Sequence, residues 1–148
     1  MPLEGDYEPS TWDIARDQVE LFERTNGAEG TVLNGAPCII LTNVGAKSGK
    51  LRKSPLIRVT DGTSYAALGS MGGAPKSPNW VTNLRVNPHV ELQDGPVKRD
   101  YLAREVSGDE RTRWWKLATE AWPAYDTYQT RTERVIPVFV LEPYDPAV

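Results

Sequence analysis

Cys38-Ile39-Ile40-Leu41-Thr42-Asn43-Val44-Gly45-Ala46-Lys47-Ser48-Gly49-Lys50-Leu51-Arg52-Lys53-Ser54-Pro55-Leu56 changes character part-way along. Residues 38–44 are apolar, rich in β-branched side chains and bounded by Pro37 and Gly45, which predicts a buried strand. A glycine-punctuated loop comes next, and extended sequence resumes at 55–59. Residues 64–68 are again apolar, and Asp61-Gly62 between these two runs predicts a hairpin.

Working outward, residues 79–85 read as a short helix closed by Asn87-Pro88. Two strands, 89–93 and 97–104, flank Asp94-Gly95. Ser107-x-x-Glu110 is a capping box that opens a helix carrying Trp114, Trp115, Leu117 and Ala118. A Trp122-Pro123 break leads to a short tyrosine-rich helix, and 136–141 form a last strand. Upstream, the pair Ser10 and Asp13 resembles a shortened capping box. A helix runs from Trp12 with Ile14, Ala15, Val19, Leu21 and Phe22 at roughly helical spacing, until Asn26-Gly27 stops it. Hairpin-linked strands with few helices between them predict an α+β class, an antiparallel barrel rather than a parallel βαβ sheet. Residues 1–10 read as a flexible arm and 11–148 as one domain.

Composition narrows the function. A chain of 148 residues with 39% apolar and 25% charged residues has the size and balance of one globular domain. Net charge is −3, so bulk electrostatics do not recruit nucleic acid. One Cys and one His exclude a disulfide framework and the usual zinc sites, and no metal is expected. No apolar run approaches the ~18–20 residues that span a bilayer, and residues 1–10 lack the pattern of a signal peptide. A cytoplasmic protein is the expectation.

Charge patterning singles out the central loop. No acidic residue lies between Glu29 and Asp61, yet Lys47, Lys50, Arg52, Lys53 and Arg58 do. Concentrated positive charge, glycines that admit backbone N–H groups and the Ser48 hydroxyl fit an anion site. A solvated turn is the plain alternative. The segment is not a Walker A loop, because three residues separate its glycines and Leu51 follows Lys50. Residues 69–80, with Gly69, Ser70, Met71 and Trp80, form a long irregular segment of the kind that carries binding sites. Ser70 lacks the surroundings of a nucleophile. Tyr125 and Tyr128 share a helix face and fit either a planar ligand or a core contact. Cys38 reads as an inert core thiol and His89 as the start of a strand.

Together these segments resemble the deazaflavin-dependent nitroreductase family, actinobacterial split β-barrel proteins that use coenzyme F420. The likeness runs from about Asn34 to Pro143. It rests on Leu41-Thr42 through Lys47-Ser48-Gly49; Arg52 to Pro55-Leu56; Gly69-Ser70 with Gly73; Pro78-x-Trp80-x-x-Asn83-Leu84 with Asn87-Pro88; and Trp122-Pro123-x-Tyr125-x-x-Tyr128 through Arg134-x-Ile136-Pro137. The resemblance implies a split barrel with an N-terminal helix and further helices around it. It also implies that Lys47, Ser48, Gly49 and Arg52, with neighbouring Ala46, hold the cofactor's phosphate, and that Lys50 and Lys53 meet its polyglutamate tail. Ser54, Pro55, Leu56 and Ile57, Leu68, Gly69, Ser70 and Met71, and Asn79, Trp80, Val81, Thr82 and Asn83 would line the deazaflavin ring. Ser70, Trp80, Tyr125 and Tyr128 would form the catalytic, substrate-facing side, with Tyr125 also near the cofactor. Ala46 stands where relatives carry Arg, Ile57 and Trp122 where the prototype carries Tyr, and Met71 where it carries Lys.

The implied reaction is hydride transfer from reduced F420 to a quinone resembling menaquinone, or to a nitroaromatic acceptor. A lipid quinone would bring the protein to the inner face of the cell membrane as a peripheral visitor, and the acidic first helix fits a lid or a membrane-facing flap. Three alternatives stay open: an FMN-dependent reductase on the same barrel, a non-catalytic F420 carrier, and a domain whose basic loop meets an acidic protein.

Overall fold

The computed structural model describes residues 3, 5–11, 13–33, 36–70, 73, 77–144. Trp12 and Met71 therefore lie outside the described residues. The elements run α1 (Asp13–Arg24), β1 (Val32–Leu33), β2 (Ala36–Val44), β3 (Leu51–Ile57), β4 (Tyr65–Leu68), α2 (Asn79–Val86), β5 (His89–Asp94), β6 (Val97–Glu105), α3 (Gly108–Ala121), α4 (Ala124–Thr130) and β7 (Val138–Pro143). All strand pairs are antiparallel, in the order β1-β2-β5-β6-β7-β4, with β3 on β2. β6 curls the sheet, because it pairs with β5 through Val97–Leu102 and with β7 through Tyr101–Glu105. The result is the expected split β-barrel of the α+β class.

β3 begins earlier than the sequence suggests. Leu51, Arg52, Lys53 and Ser54 look like loop, yet they face Val44, Asn43, Thr42 and Leu41 in register. Their partner β2 is buried along most of its length and needs a neighbour to satisfy its backbone. The hairpin expected between 55–59 and 64–68 is corrected. The two runs meet at the turn, through the Thr60–Tyr65 bridge, Ala66 N–H to Val59 O (2.9 Å), Asp61 N–H to Ser64 O (3.3 Å) and Thr60 Oγ1 to Ser64 O (2.7 Å), but form no ladder beyond it among the described residues. β4 pairs instead with β7, because Ala66, Ala67 and Leu68 are all buried and require the apolar run Val138-Phe139-Val140-Leu141 beside them.

Ser107 takes the extended N-cap conformation of α3 but makes no capping hydrogen bond. Glu110 is instead held by both terminal nitrogens of Arg104, each at 2.7 Å, so the capping box is not formed. The arm is laid against β3: Leu51 N–H reaches Asp6 O at 2.7 Å and Glu8 N–H reaches Leu51 O at 2.9 Å.

Three apolar clusters hold the sheet in shape. Trp114, Ala118 and Tyr125 from α3 and α4 pack on Ile57, Leu68 and Val138. Trp80, Val81 and Leu84 of α2 pack on Ile39, Leu41, Leu92 and Phe139. Val19 and Phe22 of α1 cover Cys38 and Ile40. Ile14, expected on the inner face of α1, is instead exposed. Each fully buried large side chain contributes roughly 1.5–3 kcal/mol. α2 and α4 are thereby fixed across the open side of β3, which leaves a groove between them.

Candidate active site

One end of the groove is a cleft of about 600 Å³ between the β2–β3 turn, the start of α2 and the arm. The turn is shaped from within. Gly45 N–H bonds Lys50 O at 2.8 Å, Gly49 N–H bonds Gly45 O at 3.0 Å, and Lys50 N–H donates to Ser48 Oγ at 3.1 Å. A Cβ at Gly45 would lie 2.6 Å from Ser48 Oγ and would turn that hydroxyl away from Lys50 N–H, and Gly49 adopts a φ of +70°. Ser48 Oγ is thus an acceptor toward the turn, and at the cleft lining its hydroxyl keeps a proton to donate. From α2, Asn83 Oδ1 accepts Ala46 N–H at 2.9 Å while its Nδ2 donates to the buried Asn43 Oδ1 at 2.8 Å. Asn83 therefore fixes the loop that carries Lys47.

Arg52 enters the same cleft, and Glu8 of the arm sits on its guanidinium at 2.7 Å. Lys47 and Lys50 are exposed. Arg52 and Lys53 do not act together: successive strand residues point to opposite faces, and Lys53 turns to Glu23 of α1 and to the Tyr7 ring face, 5.1 Å away.

The other end is an apolar cleft of about 590 Å³. Lys53, Ser54, Pro55, Leu56 and Ile57 of β3 form one wall; Leu68, Ser70 and Trp80 form the floor; Trp122, Tyr125 and Tyr128 form the far wall. Pro78 lines both clefts, so the two are adjoining ends of one groove. Tyr125 and Tyr128 meet edge to face, with centroids 6.1 Å apart. Burial, then the neighbouring Tyr128, push the Tyr125 phenol well above its ordinary value, so it stays protonated as a donor. Trp122 Nε1 donates to Tyr128 Oη at 3.3 Å. Trp80 is nearly buried and packs on Phe139. Arg134 ties the floor together by donating to Ser70 O at 2.9 Å and Ser77 Oγ at 3.1 Å.

The structure brings most of the expected residues together but sorts them differently. Ala46, Lys47, Ser48 and Arg52 line the charged end, and Asn79, Thr82 and Asn83 join them there rather than at the ring end. Those three sit at i, i+3 and i+4 on one face of α2, whereas Trp80 turns to the apolar end. Val81 points into the core and lines neither cleft. Gly69 lines neither cleft; a Cβ there would meet Val81 Cγ2 at 2.6 Å, so packing accounts for the glycine. Gly49 and Lys50 also fall outside both linings, and Lys53 is placed at the apolar end instead of beside Lys50. Glu8, Ser77 and Leu33 were not anticipated. An acidic arm facing an acid-free basic stretch was the one signal that could have revealed Glu8. Among the described residues, no three His, Cys, Asp or Glu side chains gather as a metal site.

A family model described as F420H(2)-dependent quinone reductase matches residues 14–143. A protein of Mycobacterium tuberculosis strain H37Rv, named F420H(2)-dependent quinone reductase, is 38% identical over 125 residues, covering 82% of this chain and 84% of the relative. Among solved structures, one described as an F420-H2 dependent reductase is 51% identical with a TM-score of 0.68, over 72% of this chain and 94% of that one. Another, described as a domain-swapped dimer, is 46% identical with a TM-score of 0.71, over 90% of this chain and all of that one (100%).

Proposed function

Because the chain belongs to the F420H(2)-dependent quinone reductase family, we propose that its groove holds F420 with the phosphate and acidic tail at the charged end and the deazaflavin ring in the apolar end. It is an oxidoreductase that uses F420. The observation that carries the assignment of residues is the groove itself: a cationic, hydroxyl-bearing cleft adjoining an aromatic one of similar volume at Pro78. The residues present fit such a molecule. Lys47 and Arg52 supply cations, Ser48 supplies a donor, and Gly45 keeps the turn tight enough for close approach.

When bound, the reduced deazaflavin supplies a hydride. The work of the chain is to position and to stabilise charge. β3 from Ser54 to Ile57 gives the flat wall against which a tricyclic ring lies. A quinone carbonyl is received on the side of Ser70, Tyr125 and Tyr128, where phenol and hydroxyl donors meet the negative charge that develops on its oxygen. The same donors suit a nitro oxygen. No covalent nucleophile is required. No helix among the described residues is long and apolar enough to cross a membrane; a lipid quinone of the menaquinone type would be met at a membrane surface. There, exposed Ile14 beside Ala15 at the cleft rim is placed to touch acyl chains.

Tryptophan fluorescence titrated in parallel with F420 and FMN tests the cofactor, since Trp80 and Trp122 both line the ring end. Saturable quenching by F420, followed by F420H2-dependent reduction of menadione, is the expected result. Saturation by FMN alone overturns the cofactor assignment. Binding of F420 without turnover of quinone or nitroaromatic acceptors overturns the catalytic one in favour of a carrier.

A further inference from the structure

The two tyrosines at the apolar end differ in what surrounds their hydroxyls. Tyr128 Oη receives the Trp122 indole N–H at 3.3 Å. An indole nitrogen only donates, so the direction of this bond is fixed by residue type. The Tyr128 oxygen is the acceptor, and its own proton has to point elsewhere. Around the ring, Tyr125 meets it edge to face and the Arg131 guanidinium stands over it at 5.7 Å. Neither offers an acceptor to the phenol proton in these contacts, and no other described residue takes it in a hydrogen bond. The half-buried Tyr128 lines the cleft together with Trp122 and Tyr125, which puts its phenol where that proton can be given to a bound ligand.

Trp122 is itself held in place. It caps the C-terminus of α3, with its backbone N–H on Ala118 O at 2.8 Å, and Pro123 prevents the helix from running on. Its ring packs against the core under α3 and α4. A hydroxyl at position 122 could accept as readily as it donates, and would leave the direction of the Tyr128 proton open; the indole removes that choice.

We propose that Trp122 is a positioning residue that commits the Tyr128 hydroxyl to donate into the apolar cleft, which favours ligands presenting a carbonyl or nitro oxygen over ligands presenting a donor. The inference rests on the quinone-reductase reading of the groove. It assigns no proton transfer to Tyr128, only a hydrogen bond to an oxygen that gains negative charge.

Two measurements test it. In cofactor-free protein labelled with nitrogen-15, the Trp122 indole N–H resonance is recorded with and without Tyr128→Phe. The expected result is an upfield shift of the indole proton in the variant; no shift means the bond is absent and overturns the proposal. This arm needs only the conservative tyrosine variant, so it stands even where Trp122→Phe fails to fold. Steady-state reduction of menadione by F420H2 is then compared for wild type, Trp122→Phe, Tyr128→Phe and the double variant. Each single change should lower kcat several-fold with a smaller effect on the quinone KM, and the double variant should match Tyr128→Phe. Multiplying effects would overturn the coupling. An indole shift on Tyr128→Phe, in a protein whose wild type neither binds F420 nor reduces menadione, would instead overturn the function on which the proposal rests.

Discussion

Glu8 occupies the guanidinium that an anionic ligand would need. Its backbone is pinned to Leu51 and its carboxylate lies 2.7 Å from Arg52, inside the charged cleft. A phosphate or acidic tail that takes Arg52 must displace Glu8 or share its partner. The side chains of Arg52 and Glu8 are 30% and 43% exposed, so the pair belongs among solvent-screened ones. Such pairs contribute about 0.2–1 kcal/mol. Glu8→Gln should therefore lower folding stability by about that amount and, with the competitor gone, tighten F420 binding by about 1.4–5-fold, since 1.4 kcal/mol corresponds to tenfold. The two effects have opposite signs, which separates competition from general damage. Urea unfolding reads the first and tryptophan quenching by F420 the second, and both differences should shrink as salt rises. Weaker F420 binding by Glu8→Gln at low salt would refute the reasoning, because Glu8 would then be holding Arg52 in its binding posture instead of competing for it.

Other consequences can be measured directly. Asn83→Ala strips Ala46 N–H and Asn43 Oδ1 of their partner, and should cost about 1–3 kcal/mol in chemical denaturation and weaken F420 binding by loosening the turn. Tyr125→Phe should lower quinone turnover with little change in F420 affinity; an unchanged rate would remove Tyr125 from the reaction. Burial pushes the Cys38 thiol up to about 11, so the folded protein should resist iodoacetamide at pH 8 and react once unfolded in urea. The backbone N–H groups of Ser64 and Thr63, then Arg113, hold Asp61 below the usual carboxylate range. That stability is present above the unfolded value of about 4 and is lost as pH falls below it. The gap between wild type and Asp61→Ala should accordingly close on acidification.

Periodicity and punctuation made most of the elements legible. α2, β5, β6 and α3 appear where apolar spacing, Asn87-Pro88 and Asp94-Gly95 put them. Pairing was not legible where it depends on distant chain. Residues 51–54 become strand because buried β2 needs a partner, and β4 leaves the local hairpin because β7 matches its buried alanines better. The basic turn of the site was visible as charge, and its likeness to a known family supplied the cofactor. Which face each residue takes was not visible, as α2 and the alternation of Arg52 with Lys53 show. The roles of Glu110 and Glu8 were hidden for one reason: each is claimed by an arginine outside its own element, six residues away for Glu110 and on distant β3 for Glu8, a competition that helix spacing rules do not contain.

The eight-residue helix α2 presents Asn79, Thr82 and Asn83 to one end of the groove and Trp80 to the other, with Val81 and Leu84 anchoring it between. If the groove holds F420 as proposed, α2 would hold the phosphate end with one face and meet the ring end with Trp80, while the acceptor would meet the separate α4 wall. On that assignment, sequence drift at 122–128 would redirect the protein toward new acceptors while the anion-holding face stayed constant. The same division gives a protein engineer a place to diversify, the α4 wall, and a place to leave alone.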